Sequence, residues 1–240
     1  MEHPILFISL ILDKLGLPVP HTPTGATMLE KLCEPYMTYT WLVMAFLIIV
    51  PKLTMSRLEL VPGSGQNFWE VTIGGLMDFF TENLGKERAK MLFPMMATFF
   101  LYIIIGNMIG LIPGFMSPTS NLNITLGMTL MVWVTHHVLG FRYHGLNYYK
   151  HFTGPMPIMA PFMFLLEVIA NFARLVSLSM RLFGNILAKE ILLSVLFMLA
   201  GAYFAPLPIL CLGVLVSVIQ AVVFVWLAVL YCASAMEEAH

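Results

Sequence analysis

Long apolar runs separated by short polar stretches set the rhythm of the chain. The first run, about Tyr36 to Leu53, is apolar from Trp41 onward, with Tyr36, Tyr39 and Trp41 as an expected aromatic belt at one end and Lys52 and Arg57 as basic anchors at the other. Two further runs, roughly Lys90 to Leu111 and Leu122 to Phe141, are each about twenty residues long, which is what a hydrocarbon layer about 30 Å thick requires. The polar loop "IPGFMSPTSNLN" joins them, so residues 90–141 are expected to form a helical hairpin. Between the first and second runs lies "QNFWEVTIGGLMDFFTENLG", residues 66–85. Phe68, Trp69, Leu76, Phe80 and Leu84 recur there near helical spacing, with Glu70, Asp78 and Glu82 among them. That mixture predicts an amphipathic helix lying on the membrane surface rather than a span.

The last third of the chain departs from this rhythm. From about Pro157 to Ala200 no proline follows Pro161 and no turn signal divides the run. As one helix of about 40 residues it would be about 60 Å long, twice the thickness of the layer. A second long run, Leu207 to about Ala235, follows "GAYFAPLP". Helices of this length fit a membrane by tilt, a kink or a path partly in the membrane plane, so residues 157–235 are expected to form a strongly tilted antiparallel pair. The whole reads as an all-α integral membrane protein: one membrane domain, residues 1–240, with about five membrane helices and one surface helix.

Composition agrees, since 59% of residues are hydrophobic and 10% charged, against about a quarter charged in ordinary soluble domains. A net charge of −1 offers no basic surface for a nucleic acid. Cys33, Cys211 and Cys232 are too few and too scattered for a disulfide framework or a metal site. Residues 5–12, "ILFISLIL", lack the basic flank and cleavage site of a signal peptide, so residues 1–35 are expected to be an interfacial segment. With the N-terminus outside, Lys52, Arg57, Lys86, Arg88, Lys90, Arg142 and Lys150 lie on the inner side against Lys14 and Lys31 outside. The positive-inside rule therefore places the N-terminus outside and the "AMEEAH" tail inside. His136, His137, His144 and His151, with no acid or Cys nearby, are expected at the membrane edge and not on a metal; neither a phosphate-binding loop nor "HExxH" is present. No cofactor is expected.

Charges inside the long run carry the functional signal, because an ionised group at membrane depth is costly and is kept for a use. At about 100° per residue with Arg181 as zero, Glu167 falls near 40°, Asn171 near 80°, Arg174 near 20°, Ser177 near −40°, Asn185 near 40° and Lys189 near 80°. These polar residues share about one third of the circumference, whereas Glu190 stands about 180° away. Glu167 with Arg174, and Lys189 with Glu190, have local partners within reach. Arg181 has no acid three or four residues away, and the final run offers only the uncharged Ser217 and Gln220 in its middle. Its counter-charge is expected on a partner protein, where a permanent cation favours proton release from a carboxylate.

The run "SLSMRLFGNILAKE" followed by "IQAVVFVWLAVLY" closely resembles the F-type ATP synthase a subunit family, as do "QNFWEVTIGGLMDFF", "GNMIGLIPG" with "LNITL", and the "EEAH" tail. The resemblance spans nearly the whole chain beyond residue 35. It implies a non-catalytic stator subunit in a bacterial inner membrane, with a ring of c subunits, a b-subunit stalk and the remaining synthase subunits as partners. Arg181 matches the family's essential arginine, set against the ring's carboxylate to prevent leak. Glu190, Asn185 and Gln220 would line an outer half-channel, and Glu167, Ser177 and Arg174 an inner one; Gln220 would also bond Arg181. Two positions depart from the family pattern: Gly213 stands where His or an acid is common, and Lys189 where a small residue is common. A self-contained secondary transporter would show paired repeats, which are not visible. An intramembrane enzyme would need a nucleophile and base or metal ligands, a set that Arg, Glu, Asn and Gln do not supply.

Overall fold

The computed structural model describes residues 34–55, 62–112, 114–145, 160–200 and 207–236. The interfacial segment expected before residue 34, and Arg57 and Lys150 of the charge asymmetry, lie outside these residues. Six α-helices follow in order: α1 Pro35–Thr54, α2 Ser64–Leu84, α3 Lys86–Ile109, α4 Leu122–His144, α5 Ala160–Ala200 and α6 Leu207–Ser234, with a 3₁₀ turn Pro118–Ser120 between α3 and α4. All except α2 are long and apolar enough to cross a membrane, and no strand occurs among the described residues.

Helix α2 buries one face, Trp69, Phe80 and Leu84, and leaves Glu70, Asp78 and Glu82 exposed. That face is the apolar series expected from spacing, except that Phe68 is 62% exposed on another side. Gly85 alone separates α2 from α3, at φ 78° and ψ 158°, a backbone region essentially restricted to glycine. The chain can therefore turn within one residue.

The core is built around α6. Ala221, Phe224, Val225, Ala228, Val229 and Cys232 recur at three- and four-residue steps and are buried. Small residues in that stripe let helices approach closely, which matters where lipid supplies no hydrophobic drive between them. Against it α3 sets Leu92, Met96, Phe99 and Ile103, with the Phe99 and Phe224 rings edge-to-face at 6.2 Å. The main partner of α3 is thus α6, while α4 lies mainly on α5, joined by the buried Thr125 and Ser179 hydroxyls at 3.2 Å. Helices α3 and α4 still touch, where Thr135 Oγ1 donates to Met95 Sδ at 3.4 Å, but the segment expected as a hairpin is spread around α6. Helix α1 docks through Tyr102, which donates to Thr40 Oγ1 at 3.2 Å, and Tyr39, which donates to the Gly114 carbonyl at 3.3 Å. Tyr39 is thereby fully buried and is not part of an aromatic belt; Trp41, at 55% exposure, faces outward.

Helix α5 is continuous over 41 residues, about 61 Å. Its contacts with α6 pair 185 with 220, 189 with 217 and 174 with 231. As one number rises the other falls, so the two run antiparallel, and a helix of about 61 Å fits a layer of about 30 Å only by inclining.

Candidate functional site

The polar residues of α5 divide by exposure. Leu178, Leu182, Ile186, Lys189 and Leu193 form the buried seam, joined by Asn171, while Ser177, Arg181, Asn185 and Ala188 lie on the exposed side. Glu167 and Arg174 are half-buried at its border. The stripe drawn from periodicity is therefore cut by the edge of the packed surface: residues near 80° go in, and those between about −40° and 40° stay out.

Arg181 is exposed and carries no ion pair among the described residues. Glu167 lies fourteen residues before it, about 21 Å along the helix, and Glu190 nine residues after, about 13 Å. Each acid has a local donor. The Asn171 amide donates to the Glu167 backbone oxygen at 3.0 Å and to its Oε1 at 3.1 Å. Glu190 Oε1 accepts the Ser117 backbone N–H at 2.7 Å, from the loop between α3 and α4. That loop comes close because of Gly110: a Cβ there would lie 2.7 Å from Ser117 Cβ and 3.1 Å from Glu190 Oε1.

Gln220, 4% exposed, does not bond Arg181 as the resemblance implied. Its Oε1 accepts from Asn185 Nδ2 at 2.7 Å, so the link across the helix pair is amide to amide and the guanidinium stays available on the outer face. Gln220 Nε2 and Asn107 Nδ2 are buried donors without a partner among the described residues.

Lys189 departs furthest from expectation. It feels the charge of its neighbour Glu190 but is buried, and its Nζ hydrogen bonds go elsewhere, to the Asn107 carbonyl at 3.2 Å and to Ser217 Oγ at 3.4 Å. Asn107 stands in the last turn of α3, whose carbonyls lack helical partners and carry the negative end of the helix dipole. The ammonium thus caps α3. Gly213 lies beside the lysine stem: a Cβ at that position would be 3.3 Å from Lys189 Cδ and 2.6 Å from Leu111 Cδ2. The two departures from the pattern the resemblance implied share one small space, where a side chain on α6 would meet Leu111 first and the Lys189 stem next.

Sequence reasoning missed Asn107, Ser117 and Thr119. Asn107 Oδ1 accepts from Ser117 Oγ at 3.4 Å and from Thr119 Oγ1, and all three are fully buried. A polar Asn late in an apolar run, followed by "SPTS", was the available signal. Of the histidines, His136 is buried against α6, its Nδ1 2.7 Å from the Tyr231 carbonyl. Arg174 has its guanidinium 5.9 Å from the centroid of the Tyr231 ring. No cluster of potential metal ligands occurs among the described residues.

Comparison with known proteins agrees with this architecture. Residues 37–233 match the family described as ATP synthase A chain. The chain is 67% identical over 240 residues to ATP synthase subunit a of Desulfotalea psychrophila, covering all of both chains. It is 43% identical to the same subunit of Syntrophobacter fumaroxidans and 44% identical to that of Geotalea daltonii, again over 240 residues and all of both chains. With five helices able to span a membrane and this likeness from end to end, the chain belongs to the ATP synthase A chain family, multi-pass membrane subunits of the proton-translocating F0 sector.

Proposed function

We propose that this chain is the non-catalytic stator wall along which a ring of c subunits turns, with Arg181 facing the ring's essential carboxylate. The observation that carries the proposal is the isolation of Arg181. It stands on the exposed side of α5 without a counter-charge among the described residues, although two acids on the same helix flank it and are held by their own donors. A permanent cation at membrane depth is tolerated when water or a partner's anion meets it. A carboxylate brought opposite Arg181 would lose its proton, since the guanidinium favours the ionised form.

Two routes then serve the ring from opposite sides. Glu190, Asn185 and Gln220 line the outer half-channel, while Glu167, Ser177 and Arg174 line the inner one. Arg181 separates the two, and each proton is obliged to travel with the ring. A direct leak would dissipate about 2.3 kcal/mol per charge per 100 mV of membrane potential. The b-subunit stalk and the remaining synthase subunits complete the assembly, in a bacterial inner membrane with the N-terminus on the periplasmic side and the C-terminus on the cytoplasmic side.

The test is Arg181→Ala in the whole synthase reconstituted into liposomes. Proton-driven ATP synthesis should vanish while the complex still assembles. Normal coupling would overturn the proposal.

A further inference from the structure

The end of α3 reads "GNMIG", residues 106–110. Gly106 and Gly110 are four residues apart and share one helix face, and the chain leading into α4 lies against it. A Cβ on Gly106 would be 3.1 Å from Pro118 Cγ, and one on Gly110 would be 3.0 Å from the Ser117 nitrogen and 3.1 Å from Glu190 Oε1. Two missing side chains thus open a socket in which the 117–119 turn sits close enough to α3 for its backbone to reach α5.

Asn107 gives the socket its polar lining. It is fully buried, as are Ser117 and Thr119. Its Oδ1 accepts from Thr119 Oγ1 and lies 3.4 Å from Ser117 Oγ, and the two hydroxyls are 2.7 Å apart. The Ser117 carbonyl in turn accepts from Ser120 Oγ at 2.8 Å. Ser117 is therefore held by its side chain and its carbonyl, and its N–H is the group that reaches Glu190 Oε1 at 2.7 Å. The Asn107 carbonyl meanwhile accepts from Lys189 Nζ at 3.2 Å. Two consecutive residues of α5 are thus tied to one residue of α3, Lys189 directly and Glu190 through the turn.

With the function proposed above as its basis, in which Glu190 lines the outer half-channel, we propose that Asn107 is a positioning residue for Glu190. It fixes the 117–119 turn, and the Ser117 N–H of that turn fixes the carboxyl group. Asn107 touches neither the carboxyl nor the proton. Its part is the supporting one of a buried polar cluster that holds a working side chain in one geometry. The competing role is a clamp between the loop and α3, in which the cluster contributes stability alone and Glu190 gains nothing from it.

Thr119→Val and Thr119→Ser separate the two roles, because valine has the shape of threonine without the hydroxyl bonded to Asn107, while serine keeps that hydroxyl. In whole membrane sectors reconstituted into liposomes, passive proton conduction per assembled sector should fall about tenfold in Thr119→Val, since displacing a working group by about 1 Å can cost up to about a hundredfold. The Ser117 amide should also exchange with deuterium faster in that variant, and Thr119→Ser should restore both properties. Glu190→Asp shortens the acid and withdraws it from the Ser117 N–H. In that background Thr119→Val should lower conduction no further, the non-additivity expected of residues that act through one contact. The same fractional loss with either acid would overturn the positioning role. Unchanged exchange at Ser117 in Thr119→Val would overturn the socket itself. Asn107→Leu removes the same bond from its other partner and decides in the same way should Thr119→Val fail to assemble. Faster exchange with conduction intact would instead defeat the outer-path role of Glu190 on which the proposal rests, so the two can fail separately.

Discussion

At the scale of single residues, the pairing of Lys189 with Gly213 makes a measurable claim about packing. Adding one methyl at residue 213 brings a Cβ to 2.6 Å from Leu111 Cδ2, a distance at which something must move. Gly213→Ala should therefore destabilise the complex by about 1–3 kcal/mol, the usual cost of overpacking, read as a lower midpoint of thermal unfolding. Leu111→Val removes the clashing methyl, so the double variant should lose less than the sum of the singles. Strict additivity would show that the clash is absent. Gly213 could be read from the sequence only as a departure from a family pattern, because its cause lies on two other segments. Arg181, Glu190 and Gln220 were legible because polar groups stand out in an apolar run. Asn107 stands out in the same way, but Ser117 does not, since its place depends on a loop folding back onto Glu190 across 73 residues, a contact that no local period encodes.

At the scale of elements, helix number and kind followed from length and hydropathy, and the 41-residue α5 from the absence of a breaker. Packing partners did not follow in the same way. Residues 90–141 read as a hairpin because they are neighbours in sequence, whereas the small-residue stripe of α6 draws α3 to itself and α5 takes α4. The join of α2 to α3 is similarly hidden, resting on the single backbone conformation of Gly85. With φ at 78° and no atom within 4 Å of where a methyl would stand, Gly85→Ala is strained by its dihedrals alone and should cost about 1–3 kcal/mol. Gly75, inside α2 and also facing open space, provides the contrast: Gly75→Ala should be neutral or stabilising by up to about 1 kcal/mol through helix propensity. Thermal midpoints of the two variants check both signs, and equal midpoints would refute the assignment of strain to Gly85.

At the scale of the whole molecule, one long helix presents two different surfaces. The side bearing Leu182, Ile186 and Lys189 is fixed by α4, α6 and the Pro118–Ser120 turn; the side bearing Ser177, Arg181 and Ala188 is exposed among the described residues. Gly184 belongs to the free side, at about −60° on the scale where Arg181 is zero, and a Cβ placed on it has no atom within 4 Å. The first atom of a side chain there meets nothing among the described residues, so a side chain that continues outward disrupts what lies outside the chain. In Gly184→Trp the subunit should insert into the membrane and keep its own stability within about 0.5 kcal/mol, as surface changes do. If the proposed ring runs along this side, ATP-driven proton pumping should nevertheless be lost, because the indole would occupy the gap it needs. Subunit content and pumping measured on the same vesicles separate these effects. Full pumping with tryptophan in place would mean that the ring runs along another face, and Arg181 would then need a different partner.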